Sequence, residues 1–171
     1  MSVSRRIFAI TVLALAALSA AAPAAIAKPP VPASTEITDG LYANGAYSET
    51  AGPDADFVRA IQKATTANKR ILIEVGGDWC VWCHILDAYL NNEKKVRAEF
   101  LKSFVIVRVN FSPEHKNEGF LGKFPARSGY PHFFVLEKDG KLLTSQDTGK
   151  LEKGDSYNRD KMLKFAKAWR P

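Results

Sequence analysis

Apolar and polar positions along the chain follow two periods, one typical of strands and one typical of helices. Residues 70–75 and 104–111 are apolar runs rich in β-branched residues, with the length of buried strands. Residues 132–136 and 141–145 are two further strand patterns around Asp139-Gly140, a pair that favours a tight hairpin turn. The pattern therefore predicts two buried strands followed by a β-hairpin.

Helical periods fill the intervals between these strands. A first helix opens at Pro53-Asp54 and presents Phe57, Ile61 and Ala64 on one face. The positions of these three side chains predict that this face packs on the sheet.

Three more helices are expected. One begins at Cys80 and breaks at Asn91-Asn92, Asn92 is predicted to cap the next, and the last covers residues 158–169. Residues 112–128 show no clear period and predict a loop or an irregular helix. The order of the elements predicts an α/β fold, in which a βαβ unit and the hairpin form a central mixed β-sheet flanked by helices on both faces.

The N-terminus has the composition of an export signal. Arg5 and Arg6 precede an apolar run over residues 7–22, and Ala25-Ile26-Ala27 supplies the small residues of a cleavage site. We expect three segments: an export signal over residues 1–27, a Pro-rich linker and irregular lead-in over residues 28–52, and a folded domain over residues 53–171. The mature protein is then expected in the periplasm or outside the cell, without stable membrane insertion.

The charge of the chain points to no nucleic-acid partner. Removal of the signal lowers the formal net charge from +6 to +4, because Arg5 and Arg6 are its only charged residues. The remaining lysines and arginines are scattered, whereas a nucleic-acid footprint is a concentrated basic patch on a recognisable module. We expect a monomer that does not bind nucleic acid.

The only two cysteines, Cys80 and Cys83, lie where a strand pattern turns into a helix pattern. Free N–H groups and the dipole at a helix N-terminus stabilise a thiolate, so a cysteine there is a good nucleophile. In an oxidising compartment the pair can form a disulfide, but a loop across two residues stabilises a fold little. We therefore predict a redox-active disulfide, with Cys80 as the exposed attacking thiol and Cys83 as the more buried resolving thiol.

His84 leaves other readings of this motif open. Cys-x-x-Cys-His is also the pattern of c-type haem attachment, with His84 as an axial ligand. The cysteines with His84 or His132 could instead hold a soft metal ion such as copper(I). A redox-inactive binding module is a further alternative. We expect catalysis without a cofactor or a metal ion, because the strands disfavour a small helical cytochrome and no second cysteine pair exists for a structural zinc.

Four sequence features together resemble the thioredoxin superfamily, over most of the chain after residue 53. They are the motif Trp79-Cys80-Val81-Trp82-Cys83, the acidic Glu74 six residues before Cys80, the segment Gly129-Tyr130-Pro131, and the hairpin with its Lys-Asp-Gly-Lys turn. The resemblance implies a thioredoxin-like fold and thiol–disulfide exchange on protein thiols and disulfides, with an upstream redox partner. Val81-Trp82 replaces the Gly-Pro of typical thioredoxins, so the direction of electron flow does not follow; the apolar pair favours reducing or intermediate character.

The resemblance also implies roles for individual residues. Tyr130 and a cis-Pro131 would face the disulfide and pair with an extended substrate, while Trp79 and Trp82 would form an apolar rim around Cys80. Glu74 would be a buried carboxyl that exchanges a proton with Cys83, or else a strand residue that faces solvent or pairs with Arg108 on the next strand. His84 would modulate the thiolate or face solvent.

Overall fold

The structure, a computed structural model, describes residues 40–171. The predicted signal over residues 1–27 and the start of the linker lie outside these residues. The helices are α1 (Pro53–Ala67), α2 (Val81–Asn92), α3 (Lys94–Ser103), α4 (Glu118–Leu121) and α5 (Arg159–Ala168). The strands are β1 (Arg70–Gly76), β2 (Phe104–Asn110), β3 (His132–Leu136), β4 (Leu142–Asp147), β5 (Glu152–Lys153) and β6 (Ser156–Tyr157), and a 3₁₀ helix (Thr148–Leu151) precedes β5.

The main sheet has the strand order β2-β1-β3-β4. Strand β1 is parallel to β2 and antiparallel to β3, and β3 and β4 form the predicted hairpin. Gly140 in its turn has a φ of 93°, the left-handed region that glycine adopts without strain. The predicted α/β fold with a central mixed sheet is confirmed.

Two apolar layers cover the two faces of this sheet, because successive side chains of a strand point to opposite sides. Ile71, Ile73 and Val75 of β1 pack in the layer that contains α1 and α4. Leu72 packs in the other layer, with residues of α2, α3 and α5. Glu74, two residues after Leu72, therefore faces the same side as α2.

The segment before α1 belongs to the core of the domain. Leu41, Tyr42 and Tyr47 are buried, and the backbone N–H of Ala43 donates to the carbonyl of Ile106 on β2 at 2.7 Å. This segment has no regular period, so its contacts do not follow from the sequence pattern.

The predicted face of α1 packs on the sheet: Ala60 and Ala64 are buried there, with Phe57 and Ile61 partly buried beside them. One local expectation is wrong. Asn92 is the last residue of α2 rather than a cap; Glu93 precedes α3, and its side chain makes no capping hydrogen bond.

The pair β5–β6 and the short helix α4 complete the domain. Two-residue strands are too short to produce a period, which is why β5 and β6 were not predicted. Within residues 40–171, no helix is both long enough and apolar enough to cross a membrane.

Candidate active site

Cys80 and Cys83 form a disulfide at the N-terminus of α2, with their Cα atoms 5.2 Å apart. Cys80 is the N-cap residue, and its sulfur accepts the backbone N–H of Cys83 at 3.2 Å. The same sulfur, once reduced, would lie against the free N–H groups of the helix. A thiolate at Cys80 would be stabilised in this position by the helix.

Both cysteines are buried in this oxidised state. Cys80 is 3% exposed and Cys83 is 1% exposed. The expectation of an exposed Cys80 is wrong here, because Tyr47, Trp82 and Tyr130 pack around the disulfide.

Trp79 is the most prominent exposed residue beside the disulfide, with 51% of its surface accessible. Its indole N–H donates to the carbonyl of Phe111 at 2.6 Å, and its ring meets that of Tyr130 edge to face at 5.4 Å. Tyr130 in turn stacks on Phe111 at 4.9 Å. The aromatic surface thus consists of Trp79, Phe111 and Tyr130; Phe111, which comes from the end of β2, was not anticipated.

Pro131 is buried next to this surface. The peptide bond between Tyr130 and Pro131 is cis, and the hydroxyl of Thr148 donates to the carbonyl of Pro131. Tyr130 contacts the disulfide cluster directly. The loop that carries both residues therefore lies against the cysteines.

Trp82 lies on the other side of the pair. It is half-buried and meets Tyr157 of β6 edge to face at 5.9 Å, in addition to packing on the disulfide. Trp82 is therefore partly a core residue, and less available to a partner than Trp79.

Glu74 is almost fully buried, with 1% exposure. It accepts a 2.6 Å hydrogen bond from the hydroxyl of Tyr47, and its Oε1 lies 3.6 Å from Nε of Arg108, its cross-strand neighbour on β2. Burial and pairing with Arg108, which the sequence posed as alternatives, are both present.

Arg108 is shared with a second buried carboxylate. Its Nη2 bonds Oδ1 of Asp87 on α2, and that oxygen also accepts the hydroxyl of Tyr42 at 2.7 Å. The guanidinium lies over the ring of Tyr42 at 3.5 Å. One cation thus faces two carboxyl groups, so the cluster has an excess negative charge if both are ionised.

The buried cluster makes Glu74 a proton-binding group at neutral pH. Burial raises the pKa of Glu74 to about 7; Arg108 opposes this shift, Asp87 adds to it, and the hydrogen bond from Tyr47 opposes it. Burial also raises the pKa of Tyr47 well above its usual value, with Glu74 adding to the shift. Tyr47 therefore keeps its proton while Glu74 titrates.

Gly76, at the end of β1, is where the cluster approaches the disulfide. A methyl group on Gly76 would lie 2.4 Å from Sγ of Cys83 and 2.6 Å from the hydroxyl of Tyr47. Both distances are shorter than van der Waals contact, so no larger residue fits without movement. The close approach of sulfur and hydroxyl thus depends on a glycine.

His84 is half-buried in the first turn of α2, and its Nε2 lies 2.7 Å from the carbonyl of Asp78. A carbonyl only accepts, so Nε2 carries a proton. His132 is buried on β3, with its Nε2 2.8 Å from Oγ of Ser145. Over residues 40–171, no three His, Cys, Asp or Glu side chains are grouped to hold a metal ion.

A cavity of about 470 Å³ opens beside Trp79 and Phe111. Three carboxylates contribute to its lining: Glu49, Asp78 and Glu114. The lining of this cavity is therefore both aromatic and acidic, with the guanidinium of Arg127 5.5 Å from the ring of Phe111 beside it.

The domain is an α/β domain with a mixed sheet. It has a disulfide at a strand-to-helix junction and a cis-proline loop beside that disulfide. The family model described as thioredoxin-like matches residues 53–138, just over half of the chain, and the chain belongs to this family. No curated protein sequence matches the chain.

Solved structures share this fold. A disulphide isomerase from Xylella fastidiosa has a TM-score of 0.60 at 24% identity, covering 71% of this chain and 94% of that one. The oxidised C-terminal domain of DsbD from Neisseria meningitidis has a TM-score of 0.52 at 20% identity, covering 70% of this chain and 97% of that one. At these identities the likeness establishes the fold.

Proposed function

We propose that this protein is an exported thiol–disulfide exchange enzyme that acts on the cysteines of other proteins through Cys80 and Cys83. The observation that carries the proposal is the Cys80–Cys83 disulfide at the N-terminus of α2, with the sulfur of Cys80 in the N-cap position. The similar structures named as a disulphide isomerase and a DsbD domain support the same chemistry.

In the reducing direction, the thiolate of Cys80 attacks a substrate disulfide. One substrate sulfur bonds to Cys80, and the other leaves as a thiolate and takes a proton from solvent. Cys83 then loses its proton and attacks Cys80, which re-forms the Cys80–Cys83 disulfide and releases the second substrate sulfur. The substrate gains the two electrons that the dithiol loses, and Glu74 is the proposed acceptor of the proton of Cys83.

The proposed substrate surface consists of Trp79, Trp82, Tyr130 and Pro131. Trp79 and the loop of Tyr130 and Pro131 flank the disulfide, so a polypeptide whose sulfur reaches Cys80 would contact them. Trp82 packs on the disulfide and lies partly beneath this surface. His84 is proposed to modulate the thiolate from the first turn of α2.

We propose reducing or intermediate character, because Val81-Trp82 places no cationic side chain between the cysteines. A reductase in an oxidising compartment would depend on an upstream electron donor, which we propose as a second partner. Equilibration with glutathione buffers measures the potential. A value near that of the strongest oxidants of the superfamily would make the protein a disulfide donor instead.

A trapping experiment tests the exchange function. Cys83→Ser should accumulate covalent complexes with substrate proteins, since the resolving thiol is missing, and Cys80→Ser should form none. The wild type should also accelerate reduction of insulin by dithiothreitol. Absence of complexes with Cys83→Ser together with no insulin reduction would contradict an exchange enzyme and favour a redox-inactive binding module.

The haem alternative has its own test. Tyr47, Trp82 and Tyr130 pack tightly on the cysteines, which does not favour a haem attached there. Protein co-expressed with haem-attachment machinery and exported should therefore lack a Soret band. A stoichiometric Soret band would replace the exchange function with that of a cytochrome.

A further inference from the structure

Tyr47 is hydrogen-bonded to the buried carboxyl and packs in the same cluster as the buried sulfur. Its hydroxyl donates to Glu74 at 2.6 Å and also lies on the Cys83 side of Gly76. A methyl group on Gly76 would touch both Sγ of Cys83 and this hydroxyl. The distance between the sulfur and the hydroxyl oxygen is therefore at most the sum of their distances from that methyl group. Tyr47 itself packs in the same cluster as both cysteines.

The sulfur of Cys83 and the hydroxyl of Tyr47 lie beside the same point above Gly76. The three atoms closest to a methyl group on Gly76 are Sγ of Cys83 and the hydroxyl oxygen and Cζ of Tyr47, and none belongs to Glu74. The hydroxyl of Tyr47 is therefore near the sulfur of Cys83 and hydrogen-bonded to Glu74, which is the arrangement that a proton relay between the two groups needs.

We propose that Tyr47 is the proton relay of the resolving step, a role that rests on the exchange function proposed above. As Cys83 attacks the mixed disulfide at Cys80, its proton moves to the hydroxyl oxygen of Tyr47, and the hydroxyl proton moves to the carboxylate of Glu74. The new bond is Cys80–Cys83, the broken bond is that between Cys80 and the substrate, and the substrate sulfur leaves with the electron pair. Tyr47 ends the step neutral.

The surrounding charges suit this route. Arg108 on β2 faces both Glu74 and Asp87, and Tyr42 donates to Asp87 and also lowers the pKa of Glu74, but the hydroxyl at 2.6 Å from Glu74 is that of Tyr47. Burial raises the pKa of Tyr47, which keeps the hydroxyl protonated between turnovers. The relay then requires ionised Glu74, and the resolving step should slow as the pH falls below about 7.

An aromatic disulfide reagent that releases a coloured thiolate separates the two steps. Attack by Cys80 of the reduced protein releases the first coloured thiolate, and attack by Cys83 releases the second. Tyr47→Phe keeps the ring and removes the hydroxyl. We expect an unchanged first phase, a second phase slowed at least ~10-fold, and a weakened dependence of the second phase on pH near 7.

Tyr42→Phe is the matched control. It removes a hydroxyl from the same buried cluster, one that bonds Asp87 and, like that of Tyr47, lowers the pKa of Glu74, but that is not among the atoms nearest to Gly76. The control should keep the fast second phase. Equal slowing in both variants, or none in Tyr47→Phe, would overturn the relay and leave the exchange function standing. Absence of a second phase in the wild type would contradict the exchange function itself.

A measurement on the wild type covers the case in which Tyr47→Phe does not fold. Two protons move together in the proposed step, so the second phase should be slower in heavy water at the pH plateau, with a curved dependence on deuterium content. A linear dependence or no isotope effect on the second phase would contradict the relay.

Discussion

At the scale of single residues, Glu74 is a carboxyl group in an unusual environment. It is buried, faces α2 rather than solvent, and shares Arg108 with Asp87. An isolated carboxyl in such a place would be neutral, and Arg108 restores only part of its acidity.

Glu74 should make the stability of the domain depend on pH. Its pKa rises from 4.5 to about 7 on folding, so between these values the folded state binds the proton and the unfolded state does not. The free energy of unfolding should therefore fall as the pH rises through this window, by about 3 kcal/mol at most. Glu74→Gln should flatten this slope, as measured by urea unfolding at several pH values.

Glu118→Gln is the control for that measurement, because the side chain of Glu118 is 80% exposed. It should keep the slope of the wild type. The same slope in Glu74→Gln and the wild type would mean that Glu74 does not hold a proton in the folded state.

The sequence identified most residues around the disulfide and the pairing of Glu74 with Arg108, but not the tyrosines of the buried cluster. The cysteines, Trp79 and Tyr130 were identifiable from a local motif or from a family resemblance. Tyr47 and Tyr42 lie in a segment without periodicity, and their bonds to Glu74 and Asp87 span 27 and 45 residues of chain. Such contacts form only through tertiary packing, so a local sequence pattern does not predict them.

At the scale of secondary-structure elements, β1 must end in a residue without a side chain. Gly76 pairs with Asn110 on β2, and the space above it is filled by Cys83 and Tyr47. Strand β1 therefore brings the buried acid close to the first turn of α2.

Gly76→Ala should destabilise the domain by about 1–3 kcal/mol, because the added methyl group forces the disulfide and the ring of Tyr47 apart. Gly119→Ala in α4 is the control, since no atom lies within 4 Å of a methyl group on Gly119; it should not destabilise the domain and is expected to stabilise it by up to about 1 kcal/mol through helix propensity. Urea unfolding of both oxidised variants measures the difference. Equal stability would show that the space beside Gly76 adapts without cost.

Elements with a long apolar run were predictable and short ones were not. Strands β1, β2 and β3 combine branched apolar residues with clear limits, so their positions along the chain could be predicted. The break between α2 and α3 was predicted near its observed place, but the cap was assigned to Asn92 because asparagine is a common cap residue. The helical hydrogen bonds of α2 include Asn92 instead.

At the scale of the whole molecule, charge is distributed unevenly. The full chain is basic, with a formal net charge of +6, yet three carboxylates line the cavity beside Trp79. The cavity beside the proposed substrate surface thus carries negative charge, whereas the chain as a whole is positive.

Substrate peptides should accordingly be selected by charge. A disulfide peptide with lysines next to its cysteine should react with reduced protein faster than a glutamate-bearing peptide at low ionic strength, and the difference should shrink as salt is added. The double variant Glu49→Gln and Glu114→Gln should lose most of this preference, whereas Glu118→Gln, away from the cavity, should retain it. Equal rates for both peptides would argue against an electrostatic role for the cavity.

The position of Tyr47 has a consequence for how relatives of this domain are compared. The family match begins at residue 53, so the two tyrosines that contact Glu74 and Asp87 come from outside it. Two proteins that align without a gap from the first helix to the hairpin could therefore differ in the speed of their second step, according to what precedes the first helix. The short stretch upstream of the matched segment is then a place where evolution, or an engineer, could change the rate of the proposed resolving step without touching the cysteine motif.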